Sequence, residues 1–420
     1  MRRRQIAVIG SGVAGLTAGY LLQRVADVTL YEADGRLGGH AHTHELLDPD
    51  GRSLRVDSGF IVHNRRTYPF LTRLFDELGV ETQESEMSMS IRCDGCGLQY
   101  AGARRLSGLF PTMRNATNPR YLYLLSEVVR FHRRARQHLA DTGAGEMTLD
   151  EFLAEGRFSR YFRSHFVVPM VACVWSCAPA EAGAYPARYL FQFLANHGML
   201  SVRGSHPWRT VKGGSASYVD KVGKRLSAVN LLTPVTSVSR TAHGVRIIDA
   251  DDQVADFDAV VIATHPDQAL AMLAEPTAAE AATLGAWTYS KNRASLHTDA
   301  SVLPPASRAR AAWNYQMPAC DAAGTEVHVT YDMTRLQRLP SESRYLVTLN
   351  GDESVDRAHL IAQMVYEHPM FTPGSVATRA NLPALNDGVI AFAGAYHGWG
   401  FHEDGCRSGV VAAASLGADW

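Results

Sequence analysis

The chain has 420 residues, 46% of them hydrophobic and 20% charged, enough apolar side chain to bury a large core and divide it between two domains. Its 41 basic and 42 acidic side chains nearly cancel, which argues against nucleic-acid binding through bulk charge and against an acidic tail. No run approaches the roughly 18 uninterrupted apolar residues of a membrane span, the first strand starts at the fifth residue, and six cysteines in so long a chain suit a reducing compartment without disulfides. A cytoplasmic location is expected.

The chain opens on an apolar strand at residues 5–9, runs into Gly10-Ser11-Gly12-Val13-Ala14-Gly15 and continues as a helix. This is the order of a dinucleotide-binding βαβ unit. Gly10 permits the tight turn, Gly12 and the Ala14 amide beyond it let backbone N–H groups approach a pyrophosphate, and Gly15 lets helix and strand pack closely. A second strand follows at residues 28–31 and ends in Glu32, placed for its carboxylate to accept hydrogen bonds from ribose hydroxyls and to repel a 2′-phosphate. Next comes Arg36-Leu37-Gly38-Gly39-His40, a second glycine turn too close to the first to start another nucleotide fold. It reads as an extension of the same site, with Arg36 and His40 supplying positive or donor groups.

Here the residues resemble the FAD-dependent amine oxidase-like superfamily of monoamine oxidases, phytoene desaturases and protoporphyrinogen oxidases, which carries an R-x-G-G motif after its Rossmann start. Val56-Asp57-Ser58-Gly59-Phe60 and the helical run from Pro69 to Gly79 resemble its next block, Lys212-Gly213-Gly214-Ser215 its central glycine pair, and Pro234-Val235 its adenine contact. Residues 391–395, with Gly394, and Gly400-Phe401-His402-Glu403-Asp404-Gly405 resemble its C-terminal FAD signature, whose helix aims its amides at the cofactor. The resemblance implies an α/β fold with a discontinuous Rossmann-type FAD-binding domain (1–80, 203–280 and 380–420) and an interleaved α+β substrate domain (81–202 and 281–379). It implies FAD as cofactor and Asp57, Gly59, Val235, Gly394, Glu403, Asp404 and Gly405 among the residues near it.

Further along, residues 121–139 show helical periodicity, as do the runs near 149–152 and 189–194. Residues 244–248 and 257–264 read as strands around an Asp251-Asp252 turn. His40, His42 and His44 alternate, and Cys93-Asp94-Gly95-Cys96 is a lone C-x-x-C that reads as a hairpin turn; no metal site is expected from either. The apolar run 166–175 reads as buried core or as the wall of an acyl tunnel with Trp175 in it. The basic helix carrying Arg130, Arg133, Arg134 and Arg136 reads as a solvated face or a dock for anionic lipid, at the inner membrane face.

The chain departs from the amine oxidases at two points. Phe401 takes the place of one of their two substrate-facing rings, but residues 378–385 supply neither the second ring nor a cysteine for covalent flavin attachment, so FAD is expected to be noncovalent. The lysine that the superfamily often sets near flavin N5 aligns with Arg293 or Lys291. With Phe401 and His402 these are the catalytic candidates. A narrower resemblance rests on Asn196-His197-Gly198-Met199-Leu200, Leu296-His297-Thr298-Asp299 and residues 400–405, shared with bacterial flavoproteins associated with cyclopropane-fatty-acid-synthase-type methyltransferases. It implies an oxidoreductase acting on a modified fatty acyl chain or phospholipid by hydride transfer at flavin N5, in functional partnership with such a methyltransferase. An amine oxidase or carotenoid-type desaturase, and a non-catalytic binding protein of the GDP-dissociation-inhibitor type, are the alternatives.

Overall fold

The computed structural model describes residues 2–102, 105–143, 145–200, 206–320 and 326–420. Five short strands, β1 (Arg4–Ile9), β2 (Ala26–Tyr31), β3 (Ala228–Asn230), β4 (Ala259–Ile262) and β5 (Ile390–Phe392), form a parallel sheet in the order β3-β2-β1-β4-β5. Its central strands are apolar on both faces because both are covered. Ile6 and Val8 of β1 share a core with helix α1 (Val13–Leu22), whereas Ala7 and Ile9 pack with Val238, Val245 and Ile247 of a three-stranded antiparallel sheet. Helix α2 (His402–Ser415) lies alongside α1 on the first face. All ten residues of α1 are buried, which suits a helix apolar all round.

A second, seven-stranded sheet runs in the order Leu360–Pro369, Tyr289–His297, Leu346–Leu349, Val329–Asp332, Trp313–Met317, Met89–Cys93, Gln99–Gly102. Its pairs are antiparallel except for Trp313–Met317 with Met89–Cys93. A helical layer covers it. Pro119–Ala140 starts at Asn118, whose side chain accepts from the Arg120 and Tyr121 amides, and Leu149–Glu155 starts in a Thr148/Glu151 capping box. Phe131 sits among the rings of Phe152, Phe158, Phe162, Phe166 and Phe191, all from this layer.

One expectation needs correcting. The strand read over 257–264 is two strands: Val254–Phe257 returns antiparallel to Gly244–Asp249 across the aspartate turn, and only Ala259–Ile262 enters the parallel sheet. The run 166–175 is a π-turn (Arg163–Val167) followed by a helix (Val168–Trp175) whose residues are buried except Val174. It is core along most of its length, and only its last turn reaches the signature loop described next. Among the described residues, no helix is long and apolar enough to cross a membrane.

Candidate active site

Two helix N-termini converge at the end of β1. A Cβ on Gly405 would stand 2.6 Å from Val13 Cγ1 and 3.8 Å from the Ala14 amide nitrogen, so the first turns of α1 and α2 touch. The first bonds of these turns are Leu16 N–H to Gly12 O and Gly405 N–H to Phe401 O, and the amides that precede them have no partner within their helix. Two positive dipole ends therefore meet at one point, a ready anion site. Gly12 is the opening: a Cβ added there would meet nothing within 4 Å, whereas one on Gly15 would stand 1.9 Å from Gly10 O. The second glycine turn lies over the first, with Gly38 N–H bonded to Ser11 O at 3.2 Å and Gly39 within reach of the Gly12 Cα.

Glu32 follows β2 and faces this opening. Its carboxylate accepts the Ser11 amide at 2.9 Å, the Ser11 hydroxyl, and the Asp34 amide at 2.9 Å, which fix its rotamer beside the loop. The Val235 segment lies against the same acid, because Thr233 N–H bonds to Glu32 O at 2.9 Å. Glu32→Ala is expected to weaken retention of a ribose-containing cofactor by about 10- to 100-fold, the worth of ~1.5–3 kcal/mol for hydrogen bonds to a charged group. Glu32→Asp should lose less. Full cofactor occupancy in purified Glu32→Ala would remove Glu32 from the site.

Three further carboxylates are taken up by the protein itself. Asp57 accepts from Thr43 Oγ1, from the Ser215 amide and hydroxyl and from Gln337 Nε2, and burial pushes it up to about 6. Glu403 accepts the Phe70 and Leu71 amides at the start of helix Pro69–Leu78, and burial raises it to about 7. Asp404 accepts the Trp399 and Phe401 amides at 2.9 and 3.1 Å and pairs with Arg407, which pins the signature loop. These side chains tie the segments around Gly59 and Gly405 to their neighbours, and Ser408 Oγ accepts the Gly394 amide at 2.9 Å.

The alternating histidines gather around Tyr366, with the His42 and His44 rings 4.1 Å apart. His42 Nδ1 meets Tyr366 OH at 3.0 Å, His44 Nε2 meets Ser58 Oγ at 2.8 Å, and His40 lies against the rings of Tyr366 and His368 with its Nε2 buried and unpaired. Arg36 is held over this cluster by the Gly39 carbonyl at 2.8 Å. Desolvation first, then neighbouring charge, lowers His40 to about 4 and His42 and His368 to about 3. These rings are thus neutral in the native state at pH values where an unfolded histidine, at about 6.5, is protonated. The unfolded chain binds more protons there, so the cluster's contribution to stability falls as pH drops from about 6.5 toward 4, against the opposite contribution of the raised Asp57 and Glu403 carboxyls. Imidazole titration by NMR separates the two: a ring of this cluster that titrates near 6.5 in the folded chain would show the cluster to be solvated.

Phe401 and His402 lead in opposite directions. His402 stacks on Phe60 with centroids 3.7 Å apart and meets Tyr218 OH through Nε2 at 3.2 Å; burial drives its pKa well below the usual histidine range. Phe401 stacks on Phe193 at 4.9 Å, and Phe193 in turn packs on Trp175 at 4.9 Å. Trp175 Nε1–H donates to the Trp399 carbonyl at 3.0 Å, and Tyr189 OH to the Gly398 carbonyl at 2.8 Å. Phe371 stacks on Tyr189. The helical layer thereby builds an aromatic wall behind the signature loop. The ring beside Phe401 comes from helix Ala187–Asn196, where Phe193 and His197 share a face at i and i+4; spacing alone could not assign that face to the loop.

Lys291 and Arg293 stand on the exposed side of strand Tyr289–His297. Lys291 pairs with Glu367 at 3.2 Å and Arg293 with Asp352 at 3.4 Å. The inward residue between them is Asn292, buried and bonded to Asn350 Nδ2 and His368 Nδ1. Tyr366 and His368 escaped the sequence reading, although the period of two along Leu360–Pro369 puts both on one face.

Residues 13–315 match the family described as flavin containing amine oxidoreductase. The chain belongs to that family. It is 26% identical to the carotenoid phi-ring synthase of Streptomyces griseus over 274 residues, 61% of this chain and 52% of that protein, so it spans about half of that relative's length. The fold is similar to cyclohexylamine oxidase from Brevibacterium oxydans (TM-score 0.71, 18% identity, 99% of both chains). It is also similar to a CLA-producing fatty acid isomerase from P. acnes (TM-score 0.66, 15% identity, 97% of this chain and 98% of that one). The residues present fit a flavin dinucleotide. The open side of Gly12, the paired helix N-termini and the unpaired Nε2 of buried His40 are what a pyrophosphate-bearing ligand would satisfy.

Proposed function

We propose that the chain is an FAD-dependent oxidoreductase that holds FAD noncovalently and acts on a long apolar substrate, a modified fatty acyl chain or phospholipid acyl group. The observation that carries this is the composition of the wall at Phe401: Phe193, Trp175, Trp399, Tyr189 and Phe371 pack there. The nearby acids Glu403 and Asp404 are already bonded within the protein, leaving little to recognise an ammonium group. Noncovalent binding is supported by Cys406, the cysteine of the signature helix, which is fully buried against Thr17.

FAD, when bound, supplies the two-electron acceptor. The protein's share is positioning. Gly12, the α1 and α2 amides, Glu32 and Arg36 would hold the cofactor, the aromatic wall would align an apolar chain by shape, and burial would exclude water. Of the neutral histidines of this cluster, His40 keeps an unpaired Nε2 as a hydrogen-bond partner at physiological pH.

A membrane-borne substrate accords with helix Pro119–Ala140. Arg130, Arg134 and Arg136 are drawn onto Glu127, Glu155 and the Leu200 carbonyl, but Leu122, Val129 and Arg133 lie exposed along one stripe. An acyl-chain methyltransferase would be the partner that supplies the modified chain. The deciding experiment mixes the holoprotein anaerobically with anionic phospholipid vesicles carrying modified acyl chains, or with alkyl and aryl amines, and follows the flavin absorbance. Bleaching by the lipid and co-sedimentation with the vesicles are expected; bleaching by amines alone would establish the amine oxidase reading, and a purified chain that takes up no flavin would overturn both.

A further inference from the structure

Far along the chain from the dinucleotide site, three cysteines and a histidine meet. Cys93 and Cys96 lie on the hairpin between Met89–Cys93 and Gln99–Gly102, Cys320 follows strand Trp313–Met317, and His165 comes from the π-turn of the helical layer. One ligand atom from each lies within 4.8 Å of all the others. Cys93 Sγ is 3.7 Å from Cys320 Sγ, and Cys96 Sγ is 3.6 Å from His165 Nε2.

We propose that Cys93, Cys96, Cys320 and His165 form a structural zinc site that staples the hairpin, the sheet and the helical layer of the substrate domain. The 3.7 Å S···S and 3.6 Å S···N separations match the edges of a tetrahedron around a metal. With Zn–S of about 2.3 Å and Zn–N of about 2.05 Å, the S···S edge is about 3.8 Å and the S···N edge about 3.6 Å. A disulfide requires sulfurs about 2.05 Å apart. Three soft thiolates with one imidazole, all protein ligands in a closed set, suit zinc in a structural role.

The surroundings are arranged for ligation. His165 Nδ1–H donates to the Tyr161 carbonyl at 3.1 Å, which selects the tautomer with its Nε2 lone pair toward the sulfurs. The ring is further fixed by stacking on Tyr161 at 3.9 Å. His165 is a buried residue of the π-turn, a helix irregularity frequent at functional sites. The turn Cys93-Asp94-Gly95-Cys96-Gly97-Leu98 is closed by Gly97 N–H to Cys93 O at 2.9 Å and Cys93 N–H to Leu98 O at 2.8 Å. Three thiolates around a dication leave one negative charge, and the Arg114 guanidinium lies against this turn, 3.2 Å from the Cys96 carbonyl. The lone C-x-x-C of the sequence thus acquires two ligands from positions 69 residues after Cys96 and 227 after Cys93, which spacing could not reveal.

The test is the metal content of the full-length chain purified under reducing conditions. About one zinc per chain is expected, falling to near zero in Cys320→Ser and in His165→Ala and unchanged in Cys173→Ser. Flavin per chain should stay constant in all of them, which separates this site from the cofactor reading. Should the variants fail to fold, the wild type grown with cobalt in place of zinc should show the visible d–d bands of tetrahedral Co2+ bound to thiolates. A metal-free wild type that takes up neither zinc nor cobalt, or a native disulfide among Cys93, Cys96 and Cys320 by mass spectrometry, overturns the proposal.

Discussion

Gly12→Ala should fold as the wild type does and fail to retain flavin, whereas Gly15→Ala should fail at both. The two positions are three residues apart, Gly12 just before helix α1 and Gly15 in its first turn, and their neighbourhoods differ in kind. A methyl group on Gly12 meets no protein atom within 4 Å, and its φ of −60° with ψ of 173° suits any L residue, so the apoprotein has no reason to resist it. A methyl on Gly15 would stand 1.9 Å from the Gly10 carbonyl, a backbone atom that cannot yield without opening the turn. In Gly12→Ala the methyl occupies the space assigned to the pyrophosphate, and overpacking of about 1–3 kcal/mol there corresponds to roughly 10- to 100-fold weaker flavin binding. Thermal melting of the apo forms and flavin titration check the pair together. A Gly12→Ala protein with wild-type flavin affinity would place the pyrophosphate elsewhere.

What was legible in the sequence was the part encoded locally. The glycine loop, the acid after β2 and the helical periodicity of 121–139 each rest on neighbours a few residues away, and the structure has a loop, an acid beside it and a helix there. What was not legible depends on side chains brought together by topology. Arg293 and Lys291 were aligned by position in the chain, but the period of two in Tyr289–His297 turns Asn292 inward and leaves both basic residues to surface acids. The single strand read over 257–264 failed because Asp258, bonded through its carboxylate to the Gln5 amide, marks the break between two sheets. A buried apolar run cannot by itself announce such a change of partner.

The wall at Phe401 makes Trp175 the residue whose loss should cost most in turnover at least cost in cofactor. Its side chain is 4% exposed and makes two kinds of contact, ring packing on Phe193 and Tyr185 and the Nε1–H bond to the Trp399 carbonyl. Trp175→Phe keeps most of the packing and removes the donor. About 1 kcal/mol of loop stabilisation is lost, so KM for an acyl substrate should rise several-fold while flavin per chain is unchanged. Trp175→Arg puts a guanidinium among Phe193, Tyr185 and Phe371, with a penalty of several kcal/mol unless it reaches water. The side chain must then push outward past the loop that carries Phe401, and acyl turnover should fall about 100-fold or more, the rate equivalent of ~3 kcal/mol. Gly12, Glu32 and Arg36, the residues proposed to hold the flavin, lie on other elements, so an intact flavin spectrum in both variants is part of the expected result. Unimpaired acyl turnover in Trp175→Arg would reduce this wall to ordinary core, with the substrate entering from another side.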